Sequence, residues 1–182
     1  KLQAAKKSLK PEISVYRERS ATCLKVVEEL AGLPAPADFD LQSTWVTPKK
    51  VRVAESHGKV IGLVFRGVND ERSAAFVGPV ARFCATQPGM EMVTISYRKG
   101  GDDLSKQMDE MREELGRIGY EGAAGLDPDN ANKTTFRRFQ ANVGSATFVI
   151  MNRRGEVVWY MQDPRGEDVP FARTLLRRWA EK

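Results

Sequence analysis

Reactive side chains are scarce in this chain. Its 182 residues include two cysteines, Cys23 and Cys84, and a single histidine, His57. Two cysteines so far apart do not make a disulfide framework, and one histidine excludes multi-histidine or Cys/His zinc sites. Both cysteines read as small residues on helices, Cys84 on an apolar side and Cys23 in an N-terminal leader. Proline is absent between Pro128 and Pro164. No apolar run approaches the roughly 18 to 20 residues that a membrane span needs. Arg98-Lys99-Gly100-Gly101 sets glycines beside basic residues but lacks the spacing of a P-loop or a dinucleotide-binding turn, so it reads as a plain strand-to-helix loop and no cofactor is expected. Because the first residue is Lys1 and not methionine, a preceding segment is expected, either an Arg- and Ser-rich presequence or an envelope anchor.

What is present suits one globular domain with decoration. The length allows a sizeable buried core, and 41% hydrophobic with 29% charged residues is an ordinary balance for such a domain. The net charge of +5 is compatible with an anionic partner. Its basic residues are scattered in pairs and form no long run, which weakens a nucleic-acid reading. The candidate partner contacts are Lys6, Lys7 and Lys10 in the leader, then Arg137, Arg138, Arg153, Arg154, Arg177 and Arg178. Other protein subunits are the expected partners, with RNA contact a lesser expectation.

The most informative stretch runs from Lys59 to Phe83. Val60, Ile61, Leu63, Val64 and Phe65 are a nearly continuous apolar run, as in a strand buried on both faces. Asn69 or Asp70 is placed to cap the helix that follows. Ala74, Ala75, Phe76, Val77, Val80, Ala81 and Phe83 give that helix a broad apolar side, with a kink expected at Gly78-Pro79.

Elsewhere the pattern alternates between strand and helix. Residues 1–34 read as a helical extension, broken at Pro11 and restarted after Ser20, with Cys23, Val27 and Leu30 on one face. Phe39 and Leu41, then Val51 and Val53, alternate as a lead-in hairpin would, with Trp45 as a buried anchor. Gln87-Pro88-Gly89 marks a turn before a β-branched run from Met90 to Tyr97. Asp102 or Asp103 should cap a helix whose core stripe is Leu104, Met108, Met111 and Leu115. A short extended piece ends near Asp127, and a loop leads to a connecting helix. Two β-rich runs between Val143 and Tyr160 flank a turn at Asn152-Arg153-Arg154-Gly155. Asp168 should cap a last helix carrying Phe171, Leu175 and Trp179 on one face.

This order, with GKVIGLVF before a helix start, APADFDLQ ahead of it, GLDPDN in the middle and the VGSATFVIMNRRGEVV hairpin after it, resembles the thioredoxin superfamily, in particular its TlpA-like and peroxiredoxin-like branch. The resemblance covers residues 35–182. It implies an α/β thioredoxin-like fold: a central mixed sheet flanked by helices, behind the helical extension. In that branch a CxxC dithiol stands at the first turn of the helix after the first core strand. Aligned on Gly58, Lys59 and Phe65, the two cysteine positions fall on Asp70 and Ser73, or on Glu71 and Ala74 one residue along. Neither register contains a thiol. The family's cis-proline before the hairpin strand corresponds to Ser145, or to Ala146 in the neighbouring register. The chain is therefore similar to a degenerate member lacking both motifs.

The leading expectation is a non-catalytic structural or interaction subunit of a larger assembly, with a mitochondrial complex such as a mitoribosome, a respiratory complex or the ATP synthase as the setting. One alternative is a thiol oxidoreductase or peroxidase working through Cys84 or Cys23. Cys84, however, is expected near the far end of its helix, where the dipole disfavours a thiolate. The other is a redox-inactive peptide-binding domain of the bacterial envelope.

Overall fold

β1, Val60–Gly67, is buried along nearly its whole length, as its apolar run requires of a central strand. It pairs in parallel with β2, Met90–Tyr97, which pairs in parallel with β3, Ala123–Asp127. On its other side β1 pairs antiparallel with β4, Thr147–Met151, and β4 with β5, Val157–Gln162. The result is a five-stranded mixed sheet of order β3-β2-β1-β4-β5. The computed structural model describes residues 44–97, 103–127, 134–141 and 144–182. The leader, with Lys6, Lys7, Lys10 and Cys23, lies outside the described residues, as do Phe39, Leu41 and the Arg98–Gly101 loop.

Among the described residues four helices cover the sheet: α1, Glu71–Ala85; α2, Leu104–Arg117; α3, Thr134–Arg138; and α4, Val169–Ala180. The period of two along each strand sends alternate side chains to opposite faces. Val60, Val64, Met92, Phe148 and Ile150 pack against Phe76, Val77 and Val80 of α1 and Leu175 and Leu176 of α4. Ile61, Leu63, Phe65, Val93 and Val149 pack on the other face against Phe136 of α3 and Phe139 beyond it. The Phe65 ring meets Phe136 edge-on at 4.9 Å. Ala124 and Leu126 of β3 complete the first face with Met111 and Leu115 of α2.

Gly78 and Gly155 stand where geometry demands a glycine. A Cβ on Gly78 would stand 2.6 Å from the Ile118 carbonyl oxygen, so α1 comes as close as it does to the end of α2 only because that position has no side chain. Gly155, at φ +73°, closes the β4–β5 turn in the left-handed region.

Three local expectations change. Val51 and Val53 are buried, but Val53–Glu55 is a 3-10 turn and not a strand, while Phe39 and Leu41, the other half of the expected hairpin, lie outside the described residues. Trp45 instead makes an antiparallel bridge to Gly125 in β3 and is only half-buried, because this segment runs along the sheet edge. Asp168 makes no side-chain cap on α4; its carboxylate accepts the Arg165 N–H at 2.9 Å and closes a 3-10 turn just before the helix.

Candidate functional site

The C-terminal ends of β1 and β2 open onto a groove. Parallel strands leave their carboxyl ends free where the chain turns into helices, and such crevices are the usual ligand sites of α/β sheets. Here the loop from Gly67 to Asp70 and the start of α1 form one wall, Tyr97 the floor, and Gly144 to Ala146 with Asp163 the opposite wall, around a volume of about 740 Å³.

Each wall is held by identifiable forces. Asp70 is the helix cap: its carboxylate accepts the backbone N–H groups of Arg72 and Ser73 at 3.2 and 3.4 Å. Asn69 lies just outside the helix at φ 59°, a left-handed conformation that asparagine tolerates better than most residues. The buried Ser73 turns its hydroxyl back to the Asp70 carbonyl at 3.2 Å, so it does not face the groove. Across the groove Asp163, at φ 49°, donates its N–H to the Ala146 carbonyl at 2.8 Å. Ser145 is half-buried, and its backbone N–H and carbonyl make no hydrogen bond among the described residues. There are no cis peptide bonds among the described residues.

Asp70 and Ser145, far apart in sequence, thus line one groove, while Ser73 is turned into the protein. Replacing Asp70 by alanine is expected to lower stability by about 1 kcal/mol through loss of the cap, measurable by urea unfolding. A loss above about 3 kcal/mol would show that the carboxylate does more than cap.

Sequence reasoning missed what lies beneath the groove. Arg66, at the end of β1, is 1% exposed and ion-paired with Glu114 of α2, itself 2% exposed. One guanidinium nitrogen, Nη2, serves both Glu114 and the Asp70 carbonyl, the latter at 2.7 Å. The second Glu114 oxygen accepts the Asn69 N–H at 3.0 Å. The pair therefore fastens α2 to the loop that precedes α1. A signal existed: Gln107, Met111 and Glu114 are spaced to fall on the core stripe of α2, and a carboxylate there calls for a buried partner.

The described thiol is elsewhere. Cys84 is buried near the C-terminal end of α1, where burial pushes the thiol up to about 12 despite the opposing fields of Arg173 and Lys49. Among the scattered cations, Arg138, Arg153, Arg154 and Arg177 are exposed and Arg178 is half-buried; Arg137 lies on α3. Arg154 is paired with Glu156, and the Arg177 guanidinium lies 5.0 Å from the Phe83 ring centroid. None of these arginines lines the groove. No cluster of three potential metal ligands occurs among the described residues, and no helix among them is long and apolar enough to cross a membrane.

The sheet order, the parallel β1–β2–β3 set, the antiparallel β4–β5 hairpin and the flanking helices define a thioredoxin-like fold. Solved structures with this architecture bear that out. A thiol-disulfide isomerase from Corynebacterium glutamicum matches with a TM-score of 0.64 at 12% identity, over 81% of this chain and 97% of that one. A secreted disulfide oxidoreductase of Mycobacterium tuberculosis matches with a TM-score of 0.56 at 16% identity, over 73% and 93%. An uncharacterized conserved protein from Geobacillus kaustophilus gives 0.63 at 18%, over 83% and 82%. At these identities the likeness is one of fold. No protein-family model and no curated protein matches the sequence.

Proposed function

We propose that this chain is a thioredoxin-like domain without thiol chemistry, which serves as an interaction module through the groove between the start of α1 and Ser145. The observation that carries the reading is Asp70. A helix N-terminus activates a cysteine by stabilising its thiolate with the dipole and the free N–H groups. Here a carboxylate takes those N–H groups as a structural cap. The neighbouring structures named as an isomerase and an oxidoreductase raise the alternative of disulfide chemistry. Cys84 argues against it, being sealed in the core at the wrong end of the same helix.

The groove retains features useful for binding. The unpaired backbone groups of Ser145 offer a donor and an acceptor to an extended peptide, as a free sheet edge does. The setting we propose is the bacterial envelope, as a redox-inactive peptide-binding domain; what supports it is that the three structures named above are bacterial and one is described as secreted. Nothing observed favours the mitochondrial assembly over it, and an RNA partner has no support beyond the net charge.

Two measurements test the proposal together. Insulin disulfide reduction by the purified protein should not exceed the uncatalysed rate. Sedimentation of the tagged protein from its native source should show nuclease-resistant co-migration with a protein partner, which Ser145→Trp releases by filling the groove. Turnover abolished by Cys84→Ala, or sedimentation as a lone monomer, would overturn it.

A further inference from the structure

The groove occupies one end of the sheet, and the other end carries a second concavity. The eight residues of β1 separate the two by roughly 25 Å. Because β4 runs antiparallel to β1, with Met151 opposite Ile61, the β4–β5 turn lies at the start of β1. The end of α4 meets this turn, and Asn152, Arg153, Arg154, Trp179 and Lys182 enclose a pocket of about 260 Å³.

The turn is a rigid base. The Asn152 side-chain oxygen accepts the backbone N–H groups of Arg154 and Glu156 at 2.9 and 3.0 Å, and its amide donates to the Glu156 carboxylate at 2.8 Å. Arg154 is committed to the same carboxylate at 2.6 Å. Arg153 is not committed: only its carbonyl is used, accepting the Gly58 N–H at 2.8 Å, and its exposed guanidinium has no partner among the described residues. On the facing side the Lys182 ammonium stands 4.5 Å from the centroid of the Trp179 ring. The Trp179 indole N–H is shut off from solvent with no acceptor. The walls therefore combine two cations with no carboxylate partner and an aromatic surface. That set matches an anion carried on a short apolar stem.

We infer that this pocket takes an acidic side chain from a peptide segment of a partner protein, independently of what the groove binds. The volume of about 260 Å³ is ample for a carboxylate and its methylene stem. A nucleic-acid backbone is the rival ligand, and the surrounding charges disfavour it. Lys49 and Lys59 at this end are both engaged by Glu91, at 3.5 and 2.7 Å, and Arg154 by Glu156. The two pocket cations without a carboxylate partner among the described residues, Arg153 and Lys182, are well short of the roughly six to ten phosphate contacts that give nucleic-acid binding its affinity.

The test is fluorescence anisotropy on the full chain at low salt, with a labelled eight-residue peptide of alternating Glu and Asp, and in parallel a labelled twelve-nucleotide poly-uridine. Saturable peptide binding is expected, weakened at least tenfold by Arg153→Glu and less than twofold by Lys106→Glu, an exposed site on α2 that changes net charge equally. Far-UV circular dichroism melts confirm that both variants fold, and neither side chain is buried. Absent peptide binding, equal losses in the two variants, or tighter and Arg153-dependent binding of the poly-uridine would each overturn the inference.

Discussion

Glu114→Ala should destabilise the protein by about 3–5 kcal/mol, because it leaves the Arg66 guanidinium charged and buried without its counter-ion. The loss should appear in urea unfolding as a lower midpoint at unchanged slope. Removing both charges should behave differently. Arg66 keeps Nε and Nη1 buried with no hydrogen-bond partner, so the pair is imperfectly satisfied. A buried pair of that quality does not fully recover its desolvation, and Arg66→Met with Glu114→Leu should be neutral or stabilising by about 1–4 kcal/mol. The double variant also separates stability from the site. Without Glu114 the Asn69 N–H loses its acceptor, and the left-handed residue at the groove rim is released. A stable double variant with faster amide exchange at Asn69 is the expected outcome. If Glu114→Ala costs under about 1 kcal/mol, water reaches the pair and its role as a fastening is wrong.

The second large effect is alkaline. The buried Cys84 thiol is raised from 9.0 to about 12 in the folded protein, so folding favours its protonated form. The stabilisation is fully present below pH 9 and is lost as pH rises toward 12. Three units correspond to about 4 kcal/mol over that window. The difference between the wild type and Cys84→Ala, measured by urea unfolding from pH 7 to 11, isolates this part from other groups. Tyr120 contributes in the same direction, since burial raises its hydroxyl as well. Reactivity gives an independent reading. With Cys23→Ser in the background, iodoacetamide at pH 8 should modify native Cys84 about a thousandfold more slowly than the unfolded chain. Alkylation at comparable rates would mean an accessible thiolate, and the redox-silent reading would have to be abandoned.

Much of the fold is legible in the residues alone. The β-branched run Met90–Tyr97 became β2 without a change of boundary, and the stripe Met108, Met111, Leu115 became the core face of α2. Asp70 and Asp103 cap their helices because a short carboxylate before an apolar-periodic run has few other uses. The misreadings are equally local in origin. Val51 and Val53 alternate as a strand would, but the segment buries both valines with a 3-10 turn beginning at Val53. Asp168 was placed correctly for a cap, yet a turn just upstream offered its carboxylate the Arg165 N–H instead.

By itself the sequence determined that no dithiol stands at the head of α1 and that no proline precedes β4, since both follow from residue identity. Alternation of period two and stripes at three and four residues determined the elements, because those periods arise from bonds between near neighbours along the chain. Only the tertiary structure decided that Asp70 faces Ser145, that Glu114 reaches Arg66 across 48 positions of sequence, and that Arg153 meets Trp179 beside a pocket. Those meetings depend on which strands pair, in what register, and which face each helix covers. Strand pairing is set by the summed burial of the whole core, and no short window of sequence contains that sum.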